Sequence, residues 1–196
     1  AHDHRRRSNP ESFATWFDAQ FFNYFHAHTS LILRPLAQAV VELCELQHGA
    51  AHIETARALT NLARIAVEQR DMDLAEPTLR RALAIQERDL GPDHLDTLRT
   101  TAVLGGCFQG RGDYAAAEPL FRQVLEARER ALGPEHPLTL GTLRVLAYVV
   151  KELEQLEEAE RLGRQLVAVH ERAHGAMAPE TARALATLGE VLAKKG

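Results

Sequence analysis

Four glycines, Gly49, Gly91, Gly133 and Gly175, stand 42 residues apart, and each opens a similar phrase. The phrases read GAAHIETARAL, GPDHLDTLRTT, GPEHPLTLGTL and GAMAPETARAL. Thr55, Thr97, Thr139 and Thr181 keep the same register, as do Leu62, Leu104, Leu146 and Leu188, and Ala75, Ala117 and Ala159. A fixed period of this length is the mark of stacked units, each burying its apolar face only against its neighbours.

Each unit reads as two helices. In the first, Leu59, Leu62, Ala63 and Ala66 share one face of a helix A, and Leu74, Leu79, Ala82 and Leu83 form a stripe on a helix B. Asp71 and Asp113 are placed to cap helix B, and Gln155 takes that place in the third unit with weaker capping chemistry. Gly91-Pro92 and Gly133-Pro134 end helix B, the glycine adopting a left-handed cap and the proline refusing the ladder. Pro137 suits the first turn of the next helix A. No stretch reads as a strand.

These residues resemble tetratricopeptide repeats of the kinesin-light-chain type, whose 42-residue variant joins units by Leu-Gly-Pro-Asp-His. Here the link is Leu90-Gly91-Pro92-Asp93-His94 and Leu132-Gly133-Pro134-Glu135-His136. The core pattern is visible as Thr101-x₂-Leu104-Gly105-x₂-Phe108 followed by Ala117-x₃-Phe121, and again as Leu185-x₂-Leu188-Gly189-x₂-Leu192. HEAT and armadillo repeats share the period but lack the small residue in helix A and the Ala-x₃-aromatic in helix B. The resemblance implies an all-α, right-handed superhelical solenoid of antiparallel helix pairs, with about nine helices. The expected divisions are a polar tail at 1–10, a degenerate aromatic helix pair at 11–48, repeats at 49–90, 91–132 and 133–174, and a capping helix at 175–196. A fragment of a longer chain would end the same way.

Composition excludes some functions. A formal charge of −4 over 196 residues argues against bulk nucleic-acid binding. Cys44 and Cys107 form no C-x-x-C, which is expected of a chain in a reducing, cytoplasmic setting with no disulfide framework. No run of eighteen apolar residues and no signal-peptide pattern is present, so no membrane is expected as a partner.

One motif argues for chemistry. His170-Glu171-Arg172-Ala173-His174 matches H-E-x-x-H, in which two imidazoles at i and i+4 hold zinc and the glutamate acts as base. The repeat register explains it otherwise. The equivalent stretches are Gln86-Glu87-Arg88-Asp89-Leu90 and Arg128-Glu129-Arg130-Ala131-Leu132, so Glu-Arg belongs to the repeat and His174 stands where a leucine packs. Glu190 is the downstream acid considered as a further ligand. His52, His94 and His136 recur in the link and read as helix-capping residues. The expectation is a chain without catalytic residues, metal or cofactor.

The front end is aromatic. Phe13, Trp16, Phe17, Phe21, Phe22, Tyr24 and Phe25 hold seven of the eleven aromatic residues. Phe13, Trp16, Phe17 and Phe21 share a face that packs on the next unit. Phe22 and Phe25 leave on another side, suited to a homodimer contact or a docked domain.

The resemblance also implies where a partner would lie. In this family the outer face of helix A lines a concave groove that holds extended peptides. In the first unit that face carries Arg57, Thr60, Asn61, Arg64 and Glu68. The second carries Arg99, Ala102, Val103, Gly106 and Gly110. The third carries Gly141, Arg144, Val145, Tyr148 and Glu152, and the last unit begins with Arg183. The asparagine that often clamps peptide backbone survives only as Asn61; Val103, Val145 and Thr187 replace it. Gly105 is the small packing residue of the signature. Gly106 and Gly141 have no such reason, and a mid-helix glycine costs about 1 kcal/mol against alanine, so they point to close approach of something else. With Arg99, Arg144 and Tyr148 around them, the expected ligand is an acidic segment with a bulky apolar side chain. The expectation is a protein-interaction module, with a scaffold or sensor segment of a larger signalling protein as the alternative and a zinc hydrolase as a third reading.

Overall fold

The structure, a computed structural model, describes residues 32–195, which form eight helices and no strand. They are α1 (residues 32–48), α2 (Ile53–Glu68), α3 (Met72–Leu90), α4 (Leu95–Arg111), α5 (Tyr114–Leu132), α6 (Pro137–Glu152), α7 (Leu156–His174) and α8 (Pro179–Lys195). From α2 onward each helix packs on the next in sequence, and the first helices of adjacent units touch as well, α2 on α4 and α6 on α8. Even-numbered helices are the A helices and odd-numbered ones the B helices of a solenoid. The polar tail and the aromatic residues up to Phe25, Phe22 included, lie outside the described residues.

The links repeat because their hydrogen bonds repeat. His52, His94 and His136 cap the A helices, each Nδ1 accepting the amide N–H two residues on, from Glu54, Asp96 and Leu138 at 3.2, 3.1 and 3.2 Å. Asp71 and Asp113 cap the B helices, accepting from the amides of Leu74 and Ala116. Gln155 makes no side-chain cap. The threonine register has an equally local cause. The hydroxyls of Thr55, Thr97 and Thr181 each donate to the carbonyl of the preceding link glycine at 2.8 Å, tying the end of one unit to the start of the next. Thr139 is the exception, with a buried hydroxyl that has no partner.

The glycine that ends helix B differs from the sequence-based expectation. Gly91 has φ 86° and ψ 164°, an extended conformation of positive φ rather than the left-handed helical cap. That region is essentially closed to side chains, so the demand for glycine is stricter than the expected cap implies. The left-handed cap occurs instead at the turn between α4 and α5, where Gly112 has φ 79° and ψ 8°. Arg70 and Glu154 hold the equivalent turns at φ 59° and 60° without that freedom.

Packing explains the small residues. Ala75, Ala117 and Ala159 are all fully buried. A Cβ on Gly105 would stand 2.9 Å from Cζ of Phe121, so the glycine and the ring fill one space between them. Gly163 is closed in the same way by Leu188, at 3.1 Å.

Candidate ligand groove

The outer faces of α4, α6 and α8 line three adjoining hollows on one side of the solenoid. One, of about 840 Å³, lies between α6, α7 and α8 and includes Gly141, Arg144, His170 and Ala184. A smaller one, of about 240 Å³, is bounded by Gln109, Arg144, Val145, Tyr148, Thr187 and Glu190. The third, of about 690 Å³, opens at the other end and includes Gly106, Gln109, Tyr114 and Tyr148. Arg144 and Tyr148 connect them, since Arg144 borders the first two and Tyr148 the last two.

Both glycines singled out for close approach face open space. A Cβ built on Gly106 or Gly141 would meet nothing within 4 Å. Gly110 differs, for a Cβ there would run into the Met72 methyl; it is a packing glycine.

The arginines do not act as a set. Arg57 pairs with Glu54 at 2.7 Å and with Asp96 at 2.9 Å, and the Asp96 hydrogen bond holds its guanidinium pKa above the ordinary value. Arg99 lies 3.4 Å from the same Asp96. Arg64 pairs with Glu68 at 2.8 Å. Arg183 pairs with Glu180 at 3.0 Å. Arg144 is exposed on the groove face and, among the described residues, has no ion pair or hydrogen bond. The structure therefore brings together Gly106, Gly141, Arg144, Val145 and Tyr148. It leaves Arg57, Asn61, Arg64, Arg99 and Val103 outside the three hollows. Arg99, expected to share the floor with Arg144, lies outside these hollows and pairs with Asp96 on its own helix. Val103 and Val145 are half-buried, each packed against a core cluster. Thr60 is buried, its hydroxyl 2.9 Å from that of Thr100 and donating to the Ala56 carbonyl.

Tyr148 is anchored. Its hydroxyl lies 3.3 Å from that of Tyr114, and this hydrogen bond is the main reason its pKa is pushed up to about 12. The Lys151 ammonium sits 5.1 Å from the ring centroid and pairs with Glu190 at 2.9 Å. Sequence reasoning passed over Gln109 and Lys151 and weighed Glu190 only as a metal ligand, not as part of the groove. They stand three residues beyond Gly106, Tyr148 and Thr187, so carrying the groove face one turn further would have found them.

The H-E-x-x-H stretch ends α7. The His170 and His174 rings stack with centroids 5.7 Å apart. His170 is half-buried with an unpartnered Nδ1, and burial, then the nearby His174, lowers its pKa. The acid that acts on it is Glu180, not Glu190, which is engaged by Lys151. The register position is buried in the first two units and half-buried in the third. Gln86 is fully buried with neither amide atom bonded, and Arg128 is 8 % exposed, donating to the Thr142 hydroxyl at 2.7 Å and the Leu138 carbonyl at 3.2 Å. In the third unit the shorter His170 and Ala184 replace Arg128 and Thr142, and the 840 Å³ hollow opens there.

Comparison with known proteins agrees with this architecture. The sequence matches the tetratricopeptide-repeat family over residues 32–88, 54–130 and 104–172, and the chain belongs to that family. Its fold is that of kinesin-light-chain-type repeats. A Podosopora anserina kinesin-light-chain-type structure of nearly identical TPR-like repeats superimposes with a TM-score of 0.80 at 22 % identity, covering 96 % of this chain and 89 % of that one. A single-substitution variant of the same protein gives 0.80 at 22 % identity, covering 91 % and 84 %. BtubC (BKLC) from P. vanneervenii gives 0.67 at 19 % identity, covering 73 % and 57 %. No curated protein matches the sequence. Tetratricopeptide repeats are protein-interaction modules, and this chain is one. Among the described residues no helix is long and apolar enough to cross a membrane.

Proposed function

We propose that this chain is a non-catalytic, cytoplasmic interaction module that holds an acidic, partly apolar segment of a partner protein on the outer faces of α4, α6 and α8. The observation that carries the reading is Arg144, the groove arginine left without a carboxylate, standing between the open floor at Gly141 and the anchored ring of Tyr148. A guanidinium with free donors gains most from a carboxylate, and the flanking hollows have room for the apolar side chain beside it. His170 and His174 serve this groove as lining, and their spacing follows the repeat.

The test is binding of acidic peptides containing one large apolar residue, measured by titration calorimetry at two salt concentrations. Arg144→Glu should weaken binding at least tenfold, since about 1.4 kcal/mol is one decade and a charge-assisted hydrogen bond contributes about 1.5–3 kcal/mol. Gly141→Leu should block the floor without changing charge. Peptides that bind both variants as tightly as the parent would place the contact elsewhere.

A further inference from the structure

The turn between α2 and α3 carries a cation with no counter-charge. Arg70 borders the 690 Å³ hollow, is exposed, and among the described residues its guanidinium has no ion pair or hydrogen bond. The neighbouring carboxylates are engaged elsewhere. Asp71 pairs with Arg34 at 2.8 Å and caps α3, Glu68 pairs with Arg64 at 2.8 Å, and Asp73 and Glu76 are both held by Arg111.

Two observations set Arg70 apart from a solvated surface charge. The first is its backbone. Arg70 has φ 59°, a left-handed conformation that is unfavourable for a residue with a side chain, and the same turn of the second unit uses Gly112. The second is register. Glu154, at the equivalent turn of the third unit, also has positive φ, but its carboxylate meets Lys194 on α8, 40 residues further on, at 2.7 Å. The same step from Arg70 arrives at Gly110 on α4, which has no side chain and borders the same hollow. The fold thus keeps a strained arginine and omits the charge that would answer it inside the protein. Other donors face the hollow. The Tyr114 and Tyr148 hydroxyls border it 3.3 Å apart, and when one donates to the other, the second hydroxyl hydrogen stays free. The Gln109 side-chain amide borders it too, without a partner among the described residues.

We infer that this hollow receives a second acidic side chain of the bound segment, whose carboxylate pairs with Arg70 and accepts hydrogen bonds from Gln109 and the tyrosine pair. The planar guanidinium fork suits a carboxylate. The inference rests on the proposed function and makes recognition two-point: one carboxylate at Arg144, another at the α2–α3 turn, with Tyr148 bordering the hollows on either side.

The test is titration calorimetry with peptides that hold one large apolar residue and either one acid or two, the second acid moved through successive positions. At one placement the second acid should strengthen binding about three- to fivefold, the range of a partly exposed ion pair. Arg70→Gly should remove that gain and leave one-acid peptides unaffected. Its melting temperature should not fall, because glycine adopts this φ without strain. Tyr114→Phe should reduce the gain, and Arg144→Glu should weaken both kinds of peptide. If binding depends on Arg144 but no second acid adds to it, or the gain survives Arg70→Gly, this inference fails and the proposed function stands. If no peptide binds in an Arg144-dependent way, both fail. A lower melting temperature in Arg70→Gly, with one-acid peptides weakened as well, would make Arg70 a structural residue and overturn the inference. So would stabilisation of the parent by millimolar inorganic phosphate that is lost in Arg70→Gly and matched by no gain from a second acid, since the hollow would then hold a free anion.

Discussion

The second and third units follow one sequence pattern and differ in how full they are. In the second, Phe121 occupies the space beside Gly105, Arg128 fills the buried end of α5, and Asp96 restrains Arg99. In the third, Leu188 takes the space beside Gly163, which replaces Phe121, while His170 replaces Arg128 and Leu138 and Gly141 stand in place of Asp96 and Arg99. The closed unit uses its charges internally. The open one leaves a guanidinium and a hollow available. Under the proposed function, adjacent copies of one scaffold divide between stability and recognition, and exchanging residues between them tests that division.

The largest effect is expected inside the closed unit. Gly105→Leu forces a side chain into the Phe121 ring and should cost about 1–3 kcal/mol, whereas Gly106→Ala, one residue on and facing open space, should gain up to about 1 kcal/mol. Thermal or urea melts of the two variants should move in opposite directions, and movement in the same direction would break the contrast. Next comes the charge difference. Arg144→Ala should weaken an acidic peptide several-fold, while Arg99→Ala should change its affinity less than about twofold, because a partly exposed, already paired arginine contributes little. Equal losses would return the site to both units. A smaller gain is expected from giving the third unit the cap of the second. Gln155→Asp should stabilise by about 1 kcal/mol, read as a higher melting temperature, because the amides that Asp113 serves on α5 are left without a side-chain cap on α7.

The smallest effect concerns pH. Burial lowers the folded pKa of His170, so folding disfavours its protonated form. Above the ordinary imidazole pKa both states are neutral and no penalty arises. As pH falls through that value the unfolded chain takes up a proton more readily, and stability declines. Glu76, Glu158 and Glu160, held below the usual carboxylate range chiefly by hydrogen bonds from Arg80, Arg161 and Lys195, lose their contributions only at lower pH. His170→Gln, the residue found at position 86, should therefore flatten the stability slope between about pH 7 and 5 and leave the acid limb unchanged. An unchanged slope would remove His170 as its source.

What the sequence by itself determined is what depends on neighbours along the chain. The period, the helix pairs, the aspartate and histidine caps and the packing role of Gly105 all follow from capping chemistry, backbone sterics and the 3.6-residue turn, which act within a few residues or repeat at a fixed register. The open floors at Gly106 and Gly141 were legible for the same reason. Only the tertiary structure decided which arginines are free. Arg57 reaches Asp96 across 39 residues of chain, and whether a guanidinium finds a carboxylate depends on how adjacent A helices are spaced and rotated. It also decided that positions 86 and 128 are buried and that position 170, half-buried, opens into a hollow. A polar side chain carries no local signal of burial. Its environment is set by the next helix, where Thr142 in one unit and Ala184 in the following one settle whether the space is filled or left as a hollow.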